Sequence, residues 1–252
     1  MRSATQETAL VLTGERTLPA IPDENYWFRR HEAAYRAVVP FVTGAVALDA
    51  GCGEGYGAEL MARTAGDVLA LDYDALTAAH VHEAYPTVDV VRGDLQHLPL
   101  GDGSIDVVVC MQVIEHLWDQ PGFVAECARV LRPAGTFIVS TPNRLTFSPS
   151  GQVLNPFHTR ELAADELAEL LAQRFVVTRL YGLRHGRRLA RFERRRGSLV
   201  ETQTAGPPDS WPAPVRRLVQ RVRVKDFVVD EKDVDASLDL IVVARKRTVA
   251  DT

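Results

Sequence analysis

From residue 46 onward, short runs dominated by apolar residues alternate with segments of helical pattern. The short runs are Val46–Ala50, Asp67–Leu71, Val88–Arg92, Ile105–Met111 and Thr136–Thr141. Between them lie Tyr56–Thr64, Ala75–Tyr85 and Pro121–Leu131. Ile105–Met111 is apolar except for Asp106, as expected of a central parallel strand covered on both faces. Regular strand–helix alternation predicts a parallel sheet wrapped by helices. Pro133-Ala134-Gly135 predicts a turn into the fifth strand.

The pattern changes on either side of this block. Upstream, Asn25–Val39 reads as a helix with Asp23 as its N-cap. Downstream, residues 142–158 form a loop rich in Pro, Asn and Ser. Thr159–Arg174 then reads as an amphipathic helix, and Phe175–Tyr181 and Leu238–Ala244 as strands. The chain thus divides into an N-terminal extension or lid (1–45), a Rossmann-like α/β domain (46–183), an insert (184–236) and a final strand with tail (237–252). The insert is a substrate flap or a dimer contact on this reading. Seven arginines and one acid fall between Arg184 and Arg196, either as a solvated helix face or as a patch for an anion.

Bulk properties narrow the class. With 252 residues, 46% apolar and 25% charged, the chain can bury a sizeable core. A net charge of -4 argues against a nucleic-acid partner. No apolar run approaches the ~20 residues that cross a bilayer, and Met1–Ala9 lacks the apolar stretch of a signal peptide. Cys52, Cys110 and Cys127 sit inside predicted elements without a CxxC pair. A reduced, cytoplasmic setting is expected.

The densest chemistry is in Asp49-Ala50-Gly51-Cys52-Gly53-Glu54-Gly55-Tyr56-Gly57, where a strand enters a glycine turn and then a helix. Glycines permit the turn and let a ligand approach the backbone. Tyr56 stands where the dinucleotide fingerprint has its third glycine, and the Asp49 carboxylate would repel a pyrophosphate. The same carboxylate favours a cation such as a sulfonium. Asp72 ends the second strand about twenty residues on, where a carboxylate can accept both hydroxyls of a ribose. Asp94 can accept from an adenine amino group, with Leu95 against the ring.

These spaced motifs resemble the class I S-adenosylmethionine-dependent methyltransferase family, over roughly residues 45–182 and 237–245. The resemblance implies a seven-stranded sheet with its last strand antiparallel, S-adenosylmethionine as cofactor, and binding roles for Gly51, Gly53, Asp72 and Asp94. Cys52 and Tyr73 lie beside those positions. Gln112, Tyr26 and Arg30 complete the expected cofactor contacts, with Tyr26, Trp27 and Arg30 as lid residues.

The fourth strand runs into Gln112-Val113-Ile114-Glu115-His116, at the carboxyl edge where ligands of open α/β sheets sit. Glu115 and His116 offer a general base, a pair of metal ligands, or both. The segment resembles a Glu-x-x-Glu-His metal motif of small-RNA and quinone-precursor O-methyltransferases, with Gln112 in place of the first Glu. A later histidine, His158 or alternatively His185, would complete the catalytic and metal set.

A longer match takes in Thr13–Arg16, Glu24–His31, Gln112–Asp119, Thr141–Arg144, Asn155–Leu162 and Ser237–Leu240. It resembles the sugar 1-O-methyltransferases of methylmannose polysaccharide biosynthesis. That resemblance implies Mg²⁺, an oligosaccharide hydroxyl as acceptor (the 1-OH of a short 4α-linked mannoside) and a homodimer. The competing readings are an O-methyltransferase of a phenolic or quinone-like metabolite, an inactive cofactor-binding module and a nucleotide-dependent oxidoreductase. Tyr56 and Asp49 disfavour the last of these.

Overall fold

The computed structural model describes residues 17–19, 21–149 and 155–251; the Thr13–Arg16 motif lies outside them. The strands are β1 (Val46–Ala50), β2 (Asp67–Asp72), β3 (Asp89–Arg92), β4 (Ile105–Met111), β5 (Leu131–Pro142), β6 (Phe175–His185), β7 (Phe227–Asp230) and β8 (Asp239–Lys246). They form one sheet in the order β3-β2-β1-β4-β5-β8-β6-β7. β1 to β5 are parallel to their neighbours, whereas β8 lies antiparallel between β5 and β6. The sheet therefore has eight strands among the described residues, not seven. The added one is β7, antiparallel to β6 at the edge. It is four residues long and follows an Arg-rich run, so its own pattern is too short to register in the sequence.

Strand order reverses between β1 and β4, which opens a crevice beyond their carboxyl ends. Successive residues of the central strands feed opposite layers, as a pleated strand covered on both sides must. Val107, Val109 and Met111 join one core, while Val108 and Cys110 join the other. The first layer carries α1 (Asn25–Val42) and α2 (Tyr56–Ala62), and the second carries α4 (Gln120–Val130) and α6 (Ala164–Ala172), with the one-turn α5 (Arg144–Phe147) directly after β5. α3 (Ala75–Ala84) contacts β2 and β3 and is capped by Asp74, which accepts from the Leu76 amide at 3.0 Å.

Several boundaries depart from the sequence pattern. α1 starts on Glu24 without a side-chain cap, because Asp23 is taken by Arg216 at 2.7 Å. The expected helix 159–174 begins only at Ala164. Thr159 is held in a loop by its amide and hydroxyl, which donate to the Glu115 carbonyl at 2.7 and 3.0 Å. β6 continues to His185, so residues 184 and 185 belong to the sheet and not to an insert.

Residues 186–226 hold α7 (Arg187–Arg196), α8 (Leu199–Thr204) and α9 (Ala213–Val219). This segment is part of the body, since Leu189, Leu199, Trp211, Val215 and Val219 are buried in the same core as α1. Asn25 pins it by donating to the Val219 and Val222 carbonyls, both at 2.9 Å. Of the seven arginines, Arg184 pairs with Asp230 and Arg188 with Asp226, at 2.5 Å in the second case.

Candidate functional site

The glycine turn after β1 is tied to the end of β2. The Gly51 and Cys52 amides both donate to the Leu71 carbonyl, at 2.8 and 3.0 Å. Gly51 takes φ +84°, and a Cβ there would lie 2.6 Å from a Val113 methyl, so this position excludes a side chain twice over. Asp72 accepts from the Gly53 amide through Oδ2 and from the Asp74 amide through Oδ1, each at 3.0 Å. Its carboxylate thereby organises the turn it faces.

Above this turn lies a cavity of about 550 Å³. Gly51, Cys52, Gly53, Asp72, Tyr73, Leu95 and Gln112 all line it, as the sequence predicts. Four expected contacts do not. Asp49 is fully buried beneath the turn, where the Tyr35 hydroxyl donates to both its oxygens at 3.0 and 3.2 Å. Burial, with the Asp72 charge adding, pushes its pKa up to about 7 against the opposing Tyr35 bond. Asp94 is exposed, and its Oδ1 accepts from the Gln96 amide at 2.9 Å, closing the turn that presents Leu95. Tyr26 is fully buried, its hydroxyl 2.7 Å from His185 Nε2, so it supports the fold and does not act as a lid. Arg30 likewise is 1% exposed and makes a two-pronged pair with Asp239, at 2.7 and 2.5 Å. Residues not foreseen are His31 and Tyr35 on α1, and Trp118, 92% exposed at the cavity rim. The i, i+4 spacing of His31 and Tyr35 is the signal that places both on one helical stripe.

A second cavity of about 230 Å³ adjoins the first. Thr17, His31, Gln112 and His116 line both. The smaller cavity is otherwise walled by Trp27, Pro142 and Phe147, by Glu24, Arg30, Glu115, Asn155 and His158, and by Gln203 and Thr204 of α8. Arg30, expected at the cofactor, thus faces this second space. Burial pushes the His31 pKa down to about 4, so its ring is neutral near pH 7. Gln112, at the shared wall, adopts φ +58°, and its side chain donates to Ser140 Oγ at 3.0 Å. A non-glycine residue in that region is held there by its surroundings.

At the junction of the cavities, Glu115, His116 and His158 bring one ligand atom each within 4.8 Å of one another. His116 comes from the turn after β4, and His158 from the loop clipped onto it by Thr159 and by Gln120, which donates to the Ile114 and Arg160 carbonyls. His116 Nδ1 lies 2.9 Å from the Phe157 carbonyl. A carbonyl only accepts, so Nδ1 carries the proton and the lone pair sits on Nε2. His158 is fixed in the same sense, with Nδ1 2.7 Å from the buried Glu161 Oε1. Its Nε2 meets Asn155 Nδ2 at 3.0 Å. Glu115 is 1% exposed and accepts from Thr141 Oγ1 at 3.0 Å; burial raises its pKa to about 8. His185, the alternative third ligand, is instead engaged by Tyr26 and Glu193, each at 2.7 Å.

The chain is 53% identical to a probable S-adenosylmethionine-dependent methyltransferase of Mycolicibacterium smegmatis, over 94% of this chain and 95% of that protein. It is 50% identical to one of Mycobacterium tuberculosis, over 96% and 92%. The chain belongs to the S-adenosylmethionine-dependent methyltransferase family. A methyltransferase-domain family model matches residues 48–139 of this methyltransferase. A ubiquinone biosynthesis O-methyltransferase of Pectobacterium atrosepticum is 42% identical over 40% of this chain and 44% of its own length. The fold is shared with the methyltransferase in a complex with the Haloferax volcanii Trm112 methyltransferase activator (TM-score 0.62, 18% identity, 87% of this chain and 90% of that one). It is also shared with a methyltransferase structure from Bacillus halodurans (TM-score 0.58, 18% identity, 85% and 99%). S-adenosylmethionine is therefore the cofactor; the cavity of about 550 Å³ opens at the sheet's switch point and is lined by the glycine turn and Asp72. Among the described residues no helix is long and apolar enough to cross a membrane.

Proposed function

We propose that this methyltransferase transfers the methyl group to a sugar hydroxyl, with the smaller cavity holding the acceptor and Glu115, His116 and His158 holding a divalent ion such as Mg²⁺. The observation that carries the reading is this triad in the lining of the smaller cavity, with His116 shared between the two cavities. The acceptor side is mixed in character, with Trp27, Pro142 and Phe147 against Glu24, Arg30, Asn155 and Gln203. A pyranose, with apolar C–H faces and a polar rim, matches that lining. The 1-OH of a short 4α-linked mannoside is the acceptor implied by the sequence resemblance.

The donor set fits a divalent cation. One carboxyl group and two imidazoles converge, and both imidazoles have their far nitrogens tied to a carbonyl or a carboxylate, as metal-bound histidines usually do; a cation there would displace the Glu115 proton and the Asn155 bond to His158 Nε2. Bound there, the ion supplies positive charge that stabilises a deprotonated acceptor hydroxyl. The chain's residues do the rest. The Asp72-organised turn would hold the cofactor and the shared wall would align the acceptor oxygen with the methyl carbon, for an in-line transfer in which the sulfonium leaves as the thioether and the hydroxyl proton passes to solvent. Alignment of this kind accounts for up to ~7–11 kcal/mol of the barrier. If no ion is needed, His116 Nε2 is the atom placed to take the hydroxyl proton.

The second reading, methylation of a phenolic or quinone-like metabolite, is favoured by the likeness to the ubiquinone O-methyltransferases over the cofactor region. Transfer of labelled methyl from S-adenosylmethionine to a panel of mannosides, other sugars and catechols separates the two. Labelling of the saturated sugars is expected. Labelling of catechols alone would replace the proposal with the second reading.

A further inference from the structure

A groove of about 1200 Å³ runs along the outer side of α1, away from the cofactor and acceptor cavities. On a helix at 100° per residue, Asn25, Arg29, Glu32 and Arg36 share one stripe, while His31 and Tyr35 lie on a different face. The opposite wall of the groove is the 220–226 loop of the insert together with Arg188. Six cationic side chains line it (Arg29, Arg36, Arg188, Arg221, Arg223 and Lys225) against two acids, Glu32 and Asp226. Six minus two leaves four positive charges here, on a chain whose net charge is -4.

Both acids are already committed. Glu32 is held by Arg29 and Arg36 at 2.5 and 2.8 Å, and Asp226 by Arg188 at 2.5 Å. Arg221, Arg223 and Lys225 are exposed and have no ion pair among the described residues. They stand at alternate positions on a loop that is tied down at each end. Asn25 donates to the Val219 and Val222 carbonyls, Arg188 to the Arg221 carbonyl, and the Gly186 amide to the Asp226 carbonyl at 2.7 Å. The cations are therefore displayed from a fixed backbone, against a helix face whose own carboxylate is neutralised.

We propose that this groove binds a ligand bearing phosphoryl groups, seated between the α1 stripe and Arg221, Arg223 and Lys225. Several cations spaced along a groove suit a chain of phosphoryl groups better than a single monoanion. Nucleic acid is disfavoured as the source, because no aromatic side chain lines the groove on which a base can stack. The phosphoryl group belongs either to a free polyphosphorylated molecule or to anionic lipid headgroups.

The test uses the full chain and two probes: inorganic tripolyphosphate by calorimetry, and phosphatidylglycerol against phosphatidylcholine vesicles by co-sedimentation. The variant is the triple change Arg221→Ser, Arg223→Ser and Lys225→Ser, with S-adenosylmethionine affinity measured alongside to report an intact fold. Binding of either anionic probe is expected, weakened on the order of 10-fold or more in the variant and by added salt. Tripolyphosphate binding alone assigns a soluble ligand, and phosphatidylglycerol binding alone assigns a lipid surface. No binding of either probe at low salt, or equal binding by the variant with unchanged cofactor affinity, would overturn the proposal.

Discussion

His158 Nδ1 and Glu161 Oε1 are 2.7 Å apart, with the two side chains 5% and 0% exposed. The carboxylate fixes the ring with Nδ1 as donor, which leaves Nε2, now met by Asn155 Nδ2 at 3.0 Å, as the nitrogen that can ligate. Glu161→Gln keeps the shape and removes the charge. It is expected to weaken Mg²⁺ affinity by about 10- to 100-fold while leaving S-adenosylmethionine affinity unchanged. Isothermal titration of each ligand separates the effects. An unchanged Mg²⁺ affinity would show that Glu161 only packs.

Asp72 accepts from the Gly53 amide of the glycine turn and from the Asp74 amide that follows β2. Asp72→Ala removes both acceptors and the carboxylate that faces the cavity. Charge-assisted bonds of this kind are worth about 1.5–3 kcal/mol each. The variant is expected to lose at least 10-fold in S-adenosylmethionine affinity by equilibrium dialysis, with a smaller change in thermal stability. Wild-type affinity in this variant would remove Asp72 from the cofactor site.

Arg30 and Asp239 join α1 to β8, each side chain being 1% exposed. Breaking a buried pair by removing one partner leaves the other charge stranded, at a cost of about 3–5 kcal/mol. Arg30→Met is expected to lower unfolding stability by that order in urea titrations. Adding Asp239→Asn is expected to recover a large part of it. Equal stability of the single and double variants would show that the pair is not coupled.

How far the sequence reaches is clear from these residues. Glycine spacing and strand-end carboxylates point to the turn that lines the cavity of about 550 Å³, because Gly51, Gly53 and Asp72 act through backbone geometry that is local in sequence. Asp49 and Arg30 were legible as unusual, but their partners, Tyr35 and Asp239, come from other elements. Only the packing reveals that they are supports. The sequence points to His158 with His185 as the alternative; the loop clipped by Thr159 and Gln120 brings His158 beside Glu115 and His116, while His185 is engaged by Tyr26 and Glu193. The insert misled for a related reason. Its arginines dominate its composition, while the residues that dock it, Leu189, Leu199 and Val219, are few and widely spaced.

Asp49 carries a signature in pH. Its folded pKa, about 7, is raised above the value of about 4 in the unfolded chain, so the folded state binds more protons between those limits. Its contribution to stability is fully present at low pH and is lost as pH rises toward 7. Asp49→Asn keeps an acceptor for Tyr35 and removes this dependence. The melting temperature of the variant, relative to wild type, is expected to climb from pH 5 to pH 8. A difference that stays constant would mean that Asp49 is not held protonated.

The most direct test compares wild type and His158→Ala for methyl transfer to a short mannoside, in Mg²⁺ and in chelator, with S-adenosylmethionine affinity measured in parallel. The triad in the smaller cavity predicts wild-type transfer that stops with chelator. In His158→Ala, kcat/KM should fall on the order of 10²-fold while cofactor affinity stays within twofold. Mannoside methylation that proceeds equally in chelator, or that survives His158→Ala, would contradict the metal-assisted account.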